Sequence, residues 1–348
     1  MAHEQPALSL PRSTARIGRY LLLLLLLLGL AVHVIVPQLA GLDHSLQVLR
    51  QLVPWAVALA ILAQVFSFLG SGYLLKRIVA MDGQRLSLGR GTLIYTAAAS
   101  VGLSGGGPVG TVATAYHWMR QSGVSTEGAA LASWLPSFFY DAALLFASIF
   151  GLLQLLVLNQ LSVLQLVGFG STLLVLGLVV GVTLWGVRHR ARLTTLAVRV
   201  AARWAALRRR SFNPAAARAA TERLFSAWDA LRRGGWRGPA LGALYNTVFD
   251  MLTLYFLFYA AGYRVSPGVL LAGYGLPLLM AKVSFLPGGI GIVEATMAAL
   301  YHSLGVPADV MVVVILTYRF LSLWLPLLLG FPASFFLQHT GSGTARAA

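Results

Sequence analysis

The chain has 348 residues, of which 58% are apolar and 10% charged, with a formal net charge of +16. A soluble domain carries about a quarter charged residues, so this composition points to a membrane protein instead. No cysteine is present, which excludes disulfides, zinc–thiolate sites and thiol catalysis.

Residues 1–15 read as a cytoplasmic tail, and 16–338 as a single transmembrane domain. Arg12, Arg16 and Arg19 precede Tyr20–Val36, 17 residues without formal charge that include eight consecutive leucines. Pro37-Gln-Leu-Ala40 offers no small-x-small cleavage site, so this span is expected to be a retained first helix. Further apolar spans run over 52–75, 128–157, 161–187, 239–261 and 310–338, each long enough to cross a hydrocarbon core of about 30 Å.

Two breaks interrupt the apolar pattern: Ser104-Gly-Gly-Gly-Pro-Val-Gly110 and Leu286-Pro-Gly-Gly-Ile-Gly-Ile-Val-Glu294. Hydrocarbon has no water to satisfy freed backbone groups, so such breaks belong where the chain lines a cavity or is buried in protein. Paired interruptions in corresponding positions of two halves mark the binding site of repeat-built transporters.

Charge sets the topology. Thirteen arginines against Glu222 and Asp229 give residues 188–237 a charge of +11. Basic residues near span ends are retained in the cytoplasm, which puts this segment, the N-terminus and Lys76, Arg77, Arg85 and Arg90 inside. Residues 91–120 must then start and finish on the cytoplasmic side, with too few apolar residues for two crossings. A re-entrant hairpin meets both conditions. The same reasoning makes 268–304 a hairpin that enters from outside. The expected fold is all-α and polytopic: about six spanning helices plus two re-entrant helical hairpins in an inverted repeat. Repeat one covers about 52–157 and repeat two about 239–338; residues 339–348 form a cytoplasmic tail.

The halves also resemble each other in sequence. Gly105-Gly-Gly-Pro-Val-Gly110 leads to Tyr116-His117 and Gly123-Val124, and Gly288-Gly-Ile-Gly291 leads to Tyr301-His302 and Gly305-Val306. In the 188–237 segment, Leu193, Val200, Trp204 and Leu207 share a helical face beside Arg192, Arg199, Arg203 and Arg210. Asn213-Pro214 reads as an N-cap and first residue of a second helix ending near Gly234-Gly235. Two interfacial helices on an anionic lipid surface account for these features without nucleic acid.

Candidate site residues are the glycines and prolines of the breaks and the charges inside spans. Gly106, Gly107, Pro108 and Gly110 mark the first break; Pro287, Gly288, Gly289 and Gly291 mark the second. Close helix packing is the plain reading of the glycines; hairpin tips presenting helix N-termini near Val109 and Ile290 to an anionic group are the functional one. Asp141, Asp250, Lys282, Glu294 and Arg319 are the embedded charges. Each costs about 2.5–3.5 kcal/mol at mid-helix, so pairing is expected, Glu294 with Arg319 and Asp250 with Lys282. Such pairs either fix helix packing or line a polar cavity. Gly105-x-Gly107-x-x-Gly110 lacks the preceding strand of a dinucleotide fingerprint, and neither break contains Gly-Lys-Ser/Thr. His33, His117 and His302 lack metal-site spacing. Tyr95, Tyr140, Trp134 and Trp324 read as packing or interface aromatics. No cofactor or metal is expected.

Pro287-Gly-Gly-Ile-Gly-Ile-Val-Glu294, then Leu304-Gly-Val306, Tyr318-Arg319-Phe320, Pro326 and Gly330 resemble the lysylphosphatidylglycerol synthase transmembrane (flippase-like) family. Pro108 and Gly110, Gly123-Val124 and Asp141 look like its first-half motif, with Thr111 and Phe138 standing where members carry a Glu and an Arg. The resemblance covers about 15–338. It implies a bacterial inner-membrane protein, both termini cytoplasmic, that moves a polar or modified lipid of the aminoacyl-phospholipid, glycolipid or hopanoid class between leaflets. Fused relatives carry a soluble aminoacyl-transferase domain; this chain stops at Ala348, so that activity is expected to be absent and the protein not an enzyme. Expected partners are membrane lipids and a lipid-modifying enzyme. The alternatives are a membrane-embedded glycosyl- or acyl-transferase using a lipid-linked donor, and a scaffold for a lipid-modifying enzyme.

Overall fold

The computed structural model describes residues 47–157, 170, 174, 177, 181, 185, 188–207, 214–283 and 287–341. The expected span 20–36 and most of 161–187 lie outside that set, as do residues 1–15 and 342–348. Among the described residues every regular element is a helix. Four are long and apolar enough to cross a membrane: Pro54–Met81, Thr126–Val157, Arg237–Ala260 and Ala308–His339. The protein is an all-α multi-pass membrane protein.

In chain order, α1 is Pro54–Met81, α2 Leu88–Val101, α3 Gly107–Gln121 and α4 Thr126–Val157. The basic segment supplies α5, Arg190–Leu207, and α6, Pro214–Ala230. Then follow α7, Arg237–Ala260; α8, Pro267–Val283; α9, Ile292–Ser303; α10, Ala308–Arg319; and α11, Leu325–Gly341. Local signals set several ends. Pro54 opens α1, where a missing N–H has no helical partner to lose. The Ser87 hydroxyl accepts the Arg90 N–H at 3.3 Å and so caps α2, and Ser125 accepts from Gly128 at 2.9 Å to cap α4.

The most extensive packing is between α1 and α7. They run antiparallel: the Val53 N–H, at the start of α1, donates to the Ala260 carbonyl at the end of α7, 3.0 Å away. At the other end Gly238 lies against the Arg77 guanidinium. The backbones come close enough that a Cβ on Gly242 would sit 2.7 Å from Leu74 Cα. Asn246 ties the crossing together, its Nδ2 donating to Ser67 O, Ser67 Oγ and Ser71 Oγ at 2.9, 2.8 and 2.9 Å.

This antiparallel pair fixes how the two hairpins enter. The α1–α2 and α3–α4 turns share one end: the Ser125 N–H donates to Gln84 Oε1 at 2.8 Å, and Arg90 Nε donates to Ser122 Oγ at 2.7 Å. Both arms of the first hairpin, α2 and α3, therefore open at the end where α1 stops. The second hairpin, α8 and α9, opens where α7 stops; there Phe258 packs edge-on against Tyr301, with ring centroids 5.1 Å apart. Because α1 and α7 are antiparallel, those ends are opposite. The arms follow the same exchange, α2 lying along α11 and α8 along α4. The inverted entry expected from charge is thus present in the packing.

In the basic segment, α6 does begin at Pro214, and the following turn, Leu231–Gly235, contains Gly234 at φ +98°. Arg190 and Asp229 form a bidentate ion pair joining α5 to the end of α6 (Nη1 to Oδ2 2.9 Å), with the Arg190 guanidinium 5.1 Å over the Phe225 ring. On the apolar side of α5, Val200 is 63% exposed. The side chains of Trp204 and Leu207, and residue Arg210, lie outside the described set.

Candidate functional site

Three irregular pieces of backbone converge where the hairpin tips meet. The first tip is a π turn, Gly102–Gly106, leading into α3. The second is a 3-10 turn, Pro287–Gly289. The third is another π turn, Phe320–Trp324, which interrupts the last span between α10 and α11. A Cβ on Gly288 would lie 2.5 Å from Leu103 Cδ2 and 2.7 Å from Leu323 Cδ1, which places all three together. Leu323 is the sixteenth residue of the 32-residue span Ala308–His339, so the junction lies at its middle. Non-helical backbone at that depth is tolerated where protein buries it or a cavity is lined by it.

The second tip needs its glycines. Gly288, Gly289 and Gly291 have φ of +64°, +63° and +86°, a region that side chains bearing a Cβ rarely adopt. The reversal lets α9 start at Ile292, with Gly291 as its cap. Glu294 then reaches back, its Oε2 accepting the Gly291 N–H at 2.7 Å. This is the carboxylate half of a capping box. One of the backbone N–H groups expected to be open near Ile290, that of Gly291, is thus taken by the chain's own carboxylate.

The other oxygen of Glu294 accepts from Arg319 Nε at 2.6 Å, and Arg319 Nη2 donates to the Gly288 carbonyl at 2.8 Å. Both side chains are under one-tenth exposed. The expected Glu294–Arg319 pair is therefore formed, and it clamps the second tip to the last span. The first tip has no such charge. At Gly107, φ +55°, the carbonyl accepts the Thr111 hydroxyl at 3.1 Å, a neutral contact where a family Glu would stand. Gly106 closes the π turn, Pro108 sits in the first turn of α3, and a Cβ on Gly110 would lie 3.8 Å from Val101.

The expected Asp250–Lys282 pair is not formed. Lys282 Nζ instead lies 3.0 Å from Asp141 Oδ1. The reason is geometric: α8 lies along α4, which puts the last turn of α8 beside the middle of α4. Asp141 is the sixteenth of the 32 residues of α4, yet the paired side chains are 49% and 43% exposed for Lys282 and Asp141. Asp250, on α7, accepts two hydroxyls on Oδ2, from Tyr274 of α8 and Tyr318 of α10, each at 2.8 Å.

Sequence reasoning missed Tyr274 and Gln64, and took Tyr318 only as part of a motif. Neutral hydroxyls and amides in apolar helices carry no periodic signal, so an uncharged partner for Asp250 was invisible. Tyr95 and Tyr140 do pack together, with centroids 6.1 Å apart, against an apolar cluster that also holds Trp134. His117 and His302 lie on separate helices, α3 and α9; His33 is outside the described residues.

The model of the lysylphosphatidylglycerol synthase transmembrane region matches residues 21–330. Among curated proteins, a UPF0104 membrane protein of Pyrococcus horikoshii is 37% identical over 81 residues, 23% of this chain and 24% of that protein. UPF0104 membrane proteins of Methanocaldococcus jannaschii and Methanothermobacter thermautotrophicus are 32% and 33% identical over 92 and 88 residues, about a quarter of each chain. The chain spans about a quarter of the length of these curated relatives in those matches. The family model covers most of the chain, including both hairpins and the Glu294–Arg319 clamp. This chain belongs to the lysylphosphatidylglycerol synthase transmembrane-region family.

Proposed function

We propose that this protein moves a lipid with a polar headgroup between membrane leaflets, without hydrolysing ATP and without catalysing a covalent reaction. The observation that carries the reading is the Asp141–Lys282 pair. It sits halfway along a membrane span, beside the second hairpin tip, and its two side chains are nearly half exposed although the paired Asp141 Oδ1 is itself buried. A lipid-facing charge at that depth costs about 2.5–3.5 kcal/mol, so an exposed pair there belongs to a water-accessible crevice. Such a crevice gives a headgroup a polar route past the midplane while the acyl chains stay in lipid. Asp141 engages a cationic part of the headgroup and Lys282 an anionic one.

The family supports a membrane-lipid role; the headgroup class, of aminoacyl-phospholipid, glycolipid or hopanoid kind, is part of the proposal. In this reading the protein is in a bacterial inner membrane. The end bearing Lys76, Arg77, Arg85 and Arg90 is cytoplasmic, as are both chain termini, and Arg188–Arg237 rests on the anionic leaflet surface. A lipid-modifying enzyme supplies its cargo.

The test is reconstitution into vesicles containing headgroup-labelled lipids of these classes, reading both leaflet exchange and new product. Exchange without new product is expected, slowed by Asp141→Asn combined with Lys282→Gln in protein that still inserts. Formation of a modified lipid, or no exchange with any headgroup class, would overturn the reading.

A further inference from the structure

Among the described residues, two acids within the spans and hairpins have a basic partner: Asp141 has Lys282, and Glu294 has Arg319. Asp250 has neutral ones. Tyr274 and Tyr318 donate to its Oδ2, and the Gln64 side chain reaches the same carboxylate from α1. The charged group that faces it is Arg319, next in sequence to Tyr318 and already committed to Glu294 and Gly288. From the first half, Tyr95 of α2 and Tyr140 of α4 face the same interior.

This interior is also incompletely satisfied. Gln64 is 2% exposed, and its Oε1, which can only accept, has no hydrogen-bond partner. Buried polar atoms are normally paired, so an orphaned acceptor beside a lone acid calls for a missing participant.

We propose that Asp250 binds and releases a proton during the transport cycle, and that this proton couples lipid movement to a pH gradient. Two opposing terms make exchange feasible. Asp250 is partly buried, and withdrawing an uncompensated charge from water favours the neutral acid. Two hydroxyls aimed at one oxygen favour the carboxylate, because bonds to a charged acceptor are about twice as strong as neutral ones. Both hydroxyls fall on Oδ2, which leaves Oδ1 to carry the proton, and a protonated acid adds a donor where the Gln64 Oε1 acceptor has none. The proton comes from water on one side and leaves to water on the other, with no other bond made or broken.

The position of Asp250 gives the event a mechanical consequence. The charged form ties α7 to α8, an arm of the second hairpin, and to α10, which carries the Arg319 clamp on that hairpin's tip. Protonation weakens both ties together and frees the tip to shift.

The coupling rests on the transport reading; proton binding does not, and the two are measured separately. Infrared difference spectra of the purified protein in lipid nanodiscs, recorded against pH, report a protonated carboxyl directly. A carbonyl band that grows on acidification, is absent in Asp250→Asn and grows at higher pH in Tyr274→Phe is expected; the Phe variant keeps the acid if the Asn variant fails to fold. Spectra of wild type and Tyr274→Phe without any titrating carboxyl band would overturn the site. In vesicles, lipid exchange that responds to the direction of an imposed pH gradient is expected. Exchange indifferent to the gradient, with the band present, would overturn the coupling alone. Absence of exchange under every gradient would overturn the transport reading and the coupling with it, whatever the band shows.

Discussion

Glu294 and Arg319, 25 residues apart, meet at 2.6 Å inside the protein, and each spends its remaining hydrogen bond on the backbone of the same hairpin tip. The pair is thus a clamp on the break at Gly288–Gly291 rather than a bridge between two straight helices. Removing one partner strands the other charge, a loss of about 3–5 kcal/mol for a buried pair. Arg319→Gln alone should therefore lower membrane abundance and thermal stability strongly. Glu294→Gln together with Arg319→Gln should recover most of both, because no charge is left unpaired. Lipid exchange should stay low in the double variant, since Gly288 O has lost a charged donor. Full recovery of exchange would remove the clamp from the transport machinery.

Gly288 meets two demands at once, a φ of +64° and contact with Leu103 and Leu323. Gly305 meets one, a φ of +80° with nothing near its missing Cβ. Gly305→Ala should cost about 1–2 kcal/mol from backbone strain alone. Gly288→Ala should cost clearly more, because the tips must separate. Equal melting temperatures for the two variants in the same detergent would show that the tips do not touch.

Asn246 Nδ2 shares its two protons among three acceptors across the α1–α7 crossing. Interhelical bonds in membranes average about 0.6 kcal/mol each, so Asn246→Ala should destabilise by about 1–2 kcal/mol. Ser67→Ala should cost less, because its backbone carbonyl still accepts. Reversible unfolding in mixed micelles measures both.

The chain contains no cysteine, so single introduced thiols report sidedness cleanly. Gln121→Cys, at the foot of the first hairpin, should react with a membrane-impermeant reagent only from the cytoplasmic side. His302→Cys, at the foot of the second, should react only from outside. Labelling of both from one side would contradict the antiparallel placement of the hairpins.

What was legible in the sequence was whatever hydrocarbon penalises. Glycine and proline runs stand out in apolar spans because freed backbone groups need shelter, so both tips were visible at Gly106–Gly110 and Pro287–Gly291. Arginine distribution gives an expected sidedness without knowledge of any contact, and parity then required two hairpins of opposite entry. Glu294 and Arg319 were pairable by sequence, since one follows the break and the other lies at matching depth. The remaining partners were decided by tertiary packing. Lys282 meets Asp141 because α8 lies along α4, close enough that a Cβ on Gly151 would be 2.4 Å from Ala272 N. A backbone approach of that kind sets which residues share a level, and no one-dimensional pattern encodes it. Asp250 then receives Tyr274 and Tyr318 instead of a base, because those hydroxyls, silent in hydropathy, are carried to it by two helices from separate stretches of chain.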